Sequence, residues 1–296
     1  MSFTVDTAFV NSYHGQLDMI FQQRGSKLRN TFRNVSQNSE YDYWDRLGTA
    51  TVNTIDTRHG DTPHNEIEHT RRRNQVTGYD TCEYFDTEDK LRMILDPRSG
   101  YAEAQAYALG RQMDDNIITA LGGTAYSGKS GATSVTFNSS YAIAHDYVES
   151  GSAATSNLTI GKLRRARYLL LSNDAIMDNE LVHWVGHPSQ QMSLLQTTEV
   201  TSSDYAAVKA LVNGEVDTFM GFKFIWTTRA TSSGGYRLNW AYPVSAGLLG
   251  IADDINVRIS ERDDKRYSWQ VYSRATFGAT RLWEEKVIKI NCNESA

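Results

Sequence analysis

Thiols are scarce, and long apolar runs and surplus basic charge are missing, in this chain of 296 residues. Its two cysteines, Cys82 and Cys292, lie far apart with no CxxC neighbour, which excludes a sequence-readable thiolate zinc site and a disulfide scaffold. Both read as free thiols. No stretch approaches the ~20 apolar residues of a membrane helix, so no membrane partner is expected. The opening residues, MSFTVDTAFVNSYHGQ, carry neither the basic nor the apolar region of a secretion signal, and the expectation is a chain that starts in the cytoplasm. Basic residues number 30 against 35 acidic ones, and the net charge of -5 disfavours a protein whose main work is coating phosphate backbone. What is present, 40% hydrophobic and 22% charged residues, suits a globular chain of one large or two modest domains.

Phe9, Tyr13, Leu17 and Ile20/Phe21 recur at helical spacing and predict a short amphipathic helix ending before Arg24. The polar stretch RGSKLRNTFRNVSQNSE has few core formers and reads as an arm lying on something else. Dense β-branched residues from Thr49 to Thr57 predict a strand, and Gly60, Asp61 and Pro63 a turn, giving a long hairpin from Thr49 to Thr81. Its large apolar residues are Val52, Ile55, Ile67, Val76 and Tyr79, too few to order it by self-packing. Such a hairpin needs a neighbour. The clearest helix follows, YAEAQAYALGRQMDDNIITALG, with Leu109, Met113, Ile117 and Leu121 on one face. A second is predicted from Thr159 to Asn173, with Leu163 and Leu170 inward and Lys162, Arg164, Arg165 and Arg167 largely outward. Shorter helices are expected after Pro188 and from Ser203 to Val212, and strands around Ser134, Val182, Phe222, Ile255, Trp269 and the closing KVIKI. Helices and strands mix without regular βαβ alternation, which places the chain in the α+β class.

Three motifs invite chemistry. Gly123 to Ser130, GTAYSGKS, matches the phosphate-cradling pattern, yet that site needs a strand leading in and a helix leading out, and here the order is reversed. The match reads as a decoy. His59, His64 and His69 with Asp61, Glu66 and Glu68 could ligate a metal, but spacings of five do not converge on a strand or a helix face, so they read as solvated hairpin residues. Neither a zinc-protease nor a nucleophile-elbow motif occurs, and no catalytic residue, cofactor or metal site is expected. Arg71, Arg72 and Arg73 lack interleaved aromatics for base stacking. Protein carboxylates are the favoured partners, with Asp86, Glu88 and Asp89 on a neighbouring copy as candidates.

The run DTRHGDTPHNEIEHTRRR, then FDTEDKLRMILDPRSGYAEAQAYALGRQMDDNIITALGGTAYSG, the pattern GEVDTFMGFKFIWTT and the ending RYSWQVYSRATFGATRLWEEKVIKINC together resemble the major capsid proteins of tailed bacteriophages, the HK97-like fold. The resemblance spans about Arg46 to Cys292. It implies an N-terminal arm (residues 1–43), an extended loop (44–89), a peripheral domain with a long spine helix (90–123 and 247–296) and an axial domain (124–246). Function would then be geometric, with copies closing into hexamers and pentamers that form an icosahedral head around double-stranded DNA. The implied partners are further copies of the chain, a separate scaffolding protein, a portal protein, a cement or decoration protein where one is used, and packaged DNA touched non-specifically at the inner surface. The scaffolding protein is expected to be separate because no long charged helical segment precedes the arm. The implied location is the virion capsid, assembled in the host cytoplasm. Between Lys27 and Lys129 the sole lysine is Lys90, outside the hairpin, so the lysine-asparagine crosslink of the fold's namesake has no evident donor. A P-loop nucleoside triphosphatase and another virion structural protein, such as a tail component, stand as the alternatives.

Overall fold

The computed structural model describes residues 22–86, 98–177, 180–196 and 218–294, so the helices expected at Phe9 to Phe21 and at Ser203 to Val212 lie outside the described residues. In chain order the first elements are β1 (Arg33–Ser36), β2 (Tyr41–Leu47), β3 (His69–Gln75), β4 (Thr77–Phe85) and helix α1 (Arg98–Gly122). Then come β5 (Ala125–Ser127), β6 (Thr133–Val135), β7 (Ala142–Ile143), α2 (Ile160–Ser172), β8 (Val182–Gly186) and α3 (Pro188–Gln196). The remainder is mostly strand: β9 (Thr218–Phe219), β10 (Phe222–Trp226), β11 (Ser232–Ser233), β12 (Tyr236–Pro243), β13 (Gly247–Arg262), β14 (Ser268–Arg281) and β15 (Ile288–Cys292).

The strands form three sheets. One has the order β1-β13-β14-β4, the second β7-β15-β12-β8-β10-β9 with β11 on β12, and the third β2-β3-β5-β6. Non-consecutive neighbours and mixed directions, with β1 parallel to β13 and β10 parallel to β8, give the α+β class expected. Helix α1 begins three residues before the predicted start, and its Leu109, Met113, Ile117 and Leu121 are buried as their spacing requires. Each such side chain contributes about 1.5–3 kcal/mol of burial. They meet Phe277 of β14, Trp240 and Tyr242 of β12, and Leu249 of β13 in one core. A second core lies around α2, where Leu163, Ala166 and Leu170 pack with Trp184, Phe222 and Ile290.

Three expectations need correction. The polar stretch taken for an arm supplies Leu28 and Phe32 to the first core, both essentially inaccessible. Its anchor is Asp114 of α1, which accepts from the Ser26 hydroxyl (2.5 Å) and from the backbone N–H groups of Lys27 (3.1 Å) and Leu28 (3.0 Å). Gly110 is what lets that segment cross the helix, because a Cβ there would sit 2.7 Å from the Gly25 carbonyl carbon. The hairpin, secondly, is built from other residues: β2 pairs with β3 from Tyr41↔Gln75 to Leu47↔His69, and Thr49 to Thr57 form no strand. Their β-branched side chains have no partner strand and no sheet face to pack on, so propensity alone does not order them. Lys162, finally, points inward and is fully buried. Its ammonium donates to the carbonyls of Ser156 (2.8 Å), His145 (2.9 Å), Asn157 (3.0 Å) and Asn291 (3.3 Å), which compensate its lost hydration. Arg164, Arg165 and Arg167 stay on the outer side.

The last strand joins the seven-stranded sheet, where β15 pairs with β12 and β7. Just beyond it Glu294 receives Arg237 (2.8 and 2.9 Å) and the Ser189 hydroxyl (2.6 Å), tying the chain's end to β12 and to the start of α3. Arg237, aided by Ser189 and His187, holds the Glu294 carboxyl down from 4.5 to about 2. A depressed carboxyl contributes stability above its unfolded pKa and loses it as pH falls through the folded one. Glu294→Gln is therefore expected to be less stable than wild type at pH 6, with the gap closing between pH 4.5 and about 2 and absent below it. Urea melts of both proteins across that range check this.

Candidate assembly surfaces

The third sheet presents two unlike faces, because successive residues of a strand point to opposite sides. On the inner face of β3, Arg72 and Asn74 are buried. The Arg72 guanidinium donates to the Leu282 carbonyl (3.3 Å) and pairs with Glu284. Glu284 also accepts from Arg281 Nε (2.6 Å), and Arg281 in turn donates to the carbonyls of Leu121 (2.7 Å) and Gly123 (3.0 Å). A positive group on the last carbonyls of a helix satisfies them and opposes the helix dipole. One carboxylate thus joins the C-terminal end of α1 to the base of the hairpin. Burial, with the positive Arg46 nearby, pushes the Arg72 pKa down, while Glu284 acts in the opposite direction. Arg46 adds a bond to the Leu282 carbonyl (2.5 Å) and lies over the Trp283 ring. Arg72 therefore works inside its own subunit, contrary to the expectation for the arginine triplet. Glu284 and Arg281 were not singled out from the sequence, since only the folded chain brings residues 72 and 284 together.

From this anchored base residues 48–68 project. The Gly48 N–H donates to the Glu68 carbonyl (2.8 Å), and Asn65 bonds Asn53 (3.0 Å) and the Thr51 carbonyl (2.7 Å), so the two limbs are held as a pair. Val52 is 96% and Ile55 95% exposed. No described residue of their own subunit covers them.

On the outer face of the same sheet lie Arg71 and Arg73. Arg71 pairs with the exposed Asp45 of β2 (2.6 Å), which holds that carboxyl below its ordinary value. Arg73 lies over the rings of Tyr41 (4.8 Å) and Tyr126 (4.5 Å), and Arg71 over Tyr43 (5.9 Å). Aromatics thus interleave with the arginines after all, but from the neighbouring strands β2 and β5, where no reading along β3 could find them. Asp86 accepts from the Ser268 hydroxyl (2.5 Å) of its own subunit, and Glu88 and Asp89 lie outside the described residues.

The GTAYSGKS segment forms β5 and the turn after it. Helix α1 enters and strand β6 leaves, so no helix N-terminus backs the loop's amides. Ser127 donates its hydroxyl (2.9 Å) and Gly128 its N–H (3.2 Å) to the Arg71 carbonyl, and Gly131, at φ +65°, leaves room for the Arg73 side chain, where a Cβ would meet Arg73 Cδ at 2.6 Å. The two glycines serve Arg71 and Arg73. Lys129→Ala is accordingly expected to leave assembly intact, and ATP to leave the thermal melt unmoved. A true site filled to ~100 times its dissociation constant would stabilise by about 2.7 kcal/mol. No group of three or more His, Cys, Asp or Glu side chains among the described residues could hold a metal, the His59, His64 and His69 cluster included. Burial pushes the Cys292 thiol up to about 11, which leaves little thiolate for exchange at neutral pH.

Against known proteins, the family model described as phage capsid protein matches residues 5–294. No curated protein matches. Among solved structures the chain is similar to the capsid of cyanophage P-SCSP1u (TM-score 0.72, 15% identity, 97% of this chain and 94% of that one). It is similar also to the capsid of Ralstonia phage GP4 (0.72, 10%, 96% and 95%) and to the mature capsid of bacteriophage PhiM1 (0.68, 13%, 96% and 92%). The class these likenesses define is the HK97-like fold. The chain belongs to the phage capsid protein family, and its task is that of a major capsid protein, forming the head shell. Its place is the virion capsid, where copies associate with one another.

Proposed function

We propose that the chain builds a closed icosahedral head from hexamers and pentamers around double-stranded DNA, as a structural protein with no catalytic activity. The observation that carries this is the 48–68 projection, whose Val52 and Ile55 are left bare by the described residues of their own subunit although the base beneath is fixed through Arg72, Glu284 and Arg281. A rigid base with a bare apolar tip suits a surface completed by the next copy. The division into arm, extended loop, peripheral and axial domains belongs to this reading, with residues 288–292 moved to the axial side. So does assembly in the host cytoplasm with a separate scaffolding protein, around a portal, with decoration where a head uses it and loose contact to DNA inside. Arg71, Arg73 and Asp86, together with Glu88 and Asp89, are proposed contacts between copies. The lattice is held without covalent links, since the hairpin carries no lysine donor.

The test is co-expression with the neighbouring reading frames, followed by sedimentation and negative-stain microscopy. Closed shells are expected, which dissolve in hot detergent to one band near 33.3 kDa. A chain that stays monomeric with every partner supplied would sink the reading, and open tubes would favour a tail component.

A further inference from the structure

Arg73 stands apart from the other arginines at the hairpin base. Arg71 has Asp45 and Arg72 has Glu284, but Arg73 has no carboxylate partner among the described residues, and its Nε is buried without a hydrogen bond. Its guanidinium is flanked instead by Tyr41 and Tyr126, which are 38% and 41% exposed, and its stem is seated against Gly131. Ring stacking fixes the plane of the guanidinium without consuming its N–H donors. Little side-chain entropy remains to be lost when an acceptor arrives. Tyrosine and arginine are also the residues that concentrate binding energy at protein interfaces.

We propose that this Tyr41–Arg73–Tyr126 face is a socket for a carboxylate side chain of a second copy of the chain. The inference rests on the self-assembly reading above and names the chemistry of one contact in it. Charge complementarity selects the occupant, because the chain carries 35 acidic against 30 basic residues, so every copy brings surplus carboxylates to its neighbours. The Nη edge of a planar guanidinium can donate two parallel hydrogen bonds to one carboxylate, which a lysine cannot reproduce. Gly131, just past the turn that imitates a phosphate loop, leaves the space in which this arginine's stem lies.

The experiment compares wild type, Arg73→Gln and Arg73→Lys, measuring the melting temperature of unassembled subunits and the lowest protein concentration that yields shells. Arg73→Gln is expected to melt within a degree or two of wild type while needing about tenfold more protein to assemble, the equivalent of one lost charge-assisted contact. Arg73→Lys is expected to fall between them, and the wild-type advantage to shrink as salt rises. Assembly of Arg73→Gln at the wild-type concentration would overturn the socket while leaving self-assembly standing. A wild type that never assembles takes down both. If the Gln variant loses subunit stability in proportion to assembly, the residue is structural and the proposal fails. Normal empty shells that fail only to retain DNA would assign the face to phosphate and overturn it as well.

Discussion

Glu284→Ala is expected to cost the isolated subunit about 3–5 kcal/mol, because it leaves the guanidinium groups of Arg72 and Arg281 buried without their shared carboxylate. The Arg72 and Arg281 side chains are 2% and 0% exposed, so water cannot easily replace what is removed. The loss should be largest at low salt only to a small degree, since buried pairs are weakly screened. Arg71→Ala provides the contrast: its partner Asp45 is 65% exposed, and solvent screening leaves such a surface pair little to contribute, so its melt should barely move. Denaturant melts of the two variants measure the difference directly. Equal effects would mean that the Glu284 carboxylate does not bridge the spine helix and the hairpin base. Glu284→Gln, which keeps an acceptor but not the charge, should fall between wild type and Ala.

How far the fold could be read from the sequence depended on whether one segment carried its own signal. Helix α1 was legible because Leu109, Met113, Ile117 and Leu121 repeat on one face and Gly122 and Gly123 end it. Strands β10, β13 and β14 were legible through alternation around Phe222, Ile255 and Trp269, β15 through the closing KVIKI, and the GTAYSGKS decoy through the order of its flanking elements. Lys162 was misread because its helix looks amphipathic with the lysine outside. Its burial depends on carbonyls from residues 145, 156, 157 and 291 that converge only after folding. The hairpin strands were misplaced for the same reason. Tyr41 to Leu47, YDYWDRL, mixes aromatic with charged residues and pairs with β3, whereas Thr49 to Thr57 has β propensity and nothing to pair with. The candidate contacts divided likewise: the arginine triplet stood out, but which of the three faced inward required knowing the strand's register and the position of residue 284. The overall class and the shell-forming role came through the order of several long stretches, which survives even where single elements shift.

Val52→Ser combined with Ile55→Ser is expected to abolish shell formation at ordinary concentrations while leaving the subunit's melt unchanged. At 96% and 95% exposure these side chains make no contribution to the subunit's own core, so their removal has almost nothing to destabilise there. If a neighbour covers them in the shell, each contributes about 1.5–3 kcal/mol of burial per copy. Losing even half of that from both residues raises the concentration required for assembly by at least about tenfold. The effect then multiplies, because every subunit of a closed shell makes the same contact and a ring cannot close around one that is missing. Hydrophobic contacts weaken on cooling, so wild-type shells should also assemble less readily at 4 °C than at 25 °C, and the double variant should have lost most of that temperature dependence. Light scattering against concentration at the two temperatures, with subunit melts as the control, gives both readings. Shells forming at the wild-type threshold would show that the exposed tip of the 48–68 projection does not join the copies, and the role of that surface would pass to the arginine and tyrosine face beneath it.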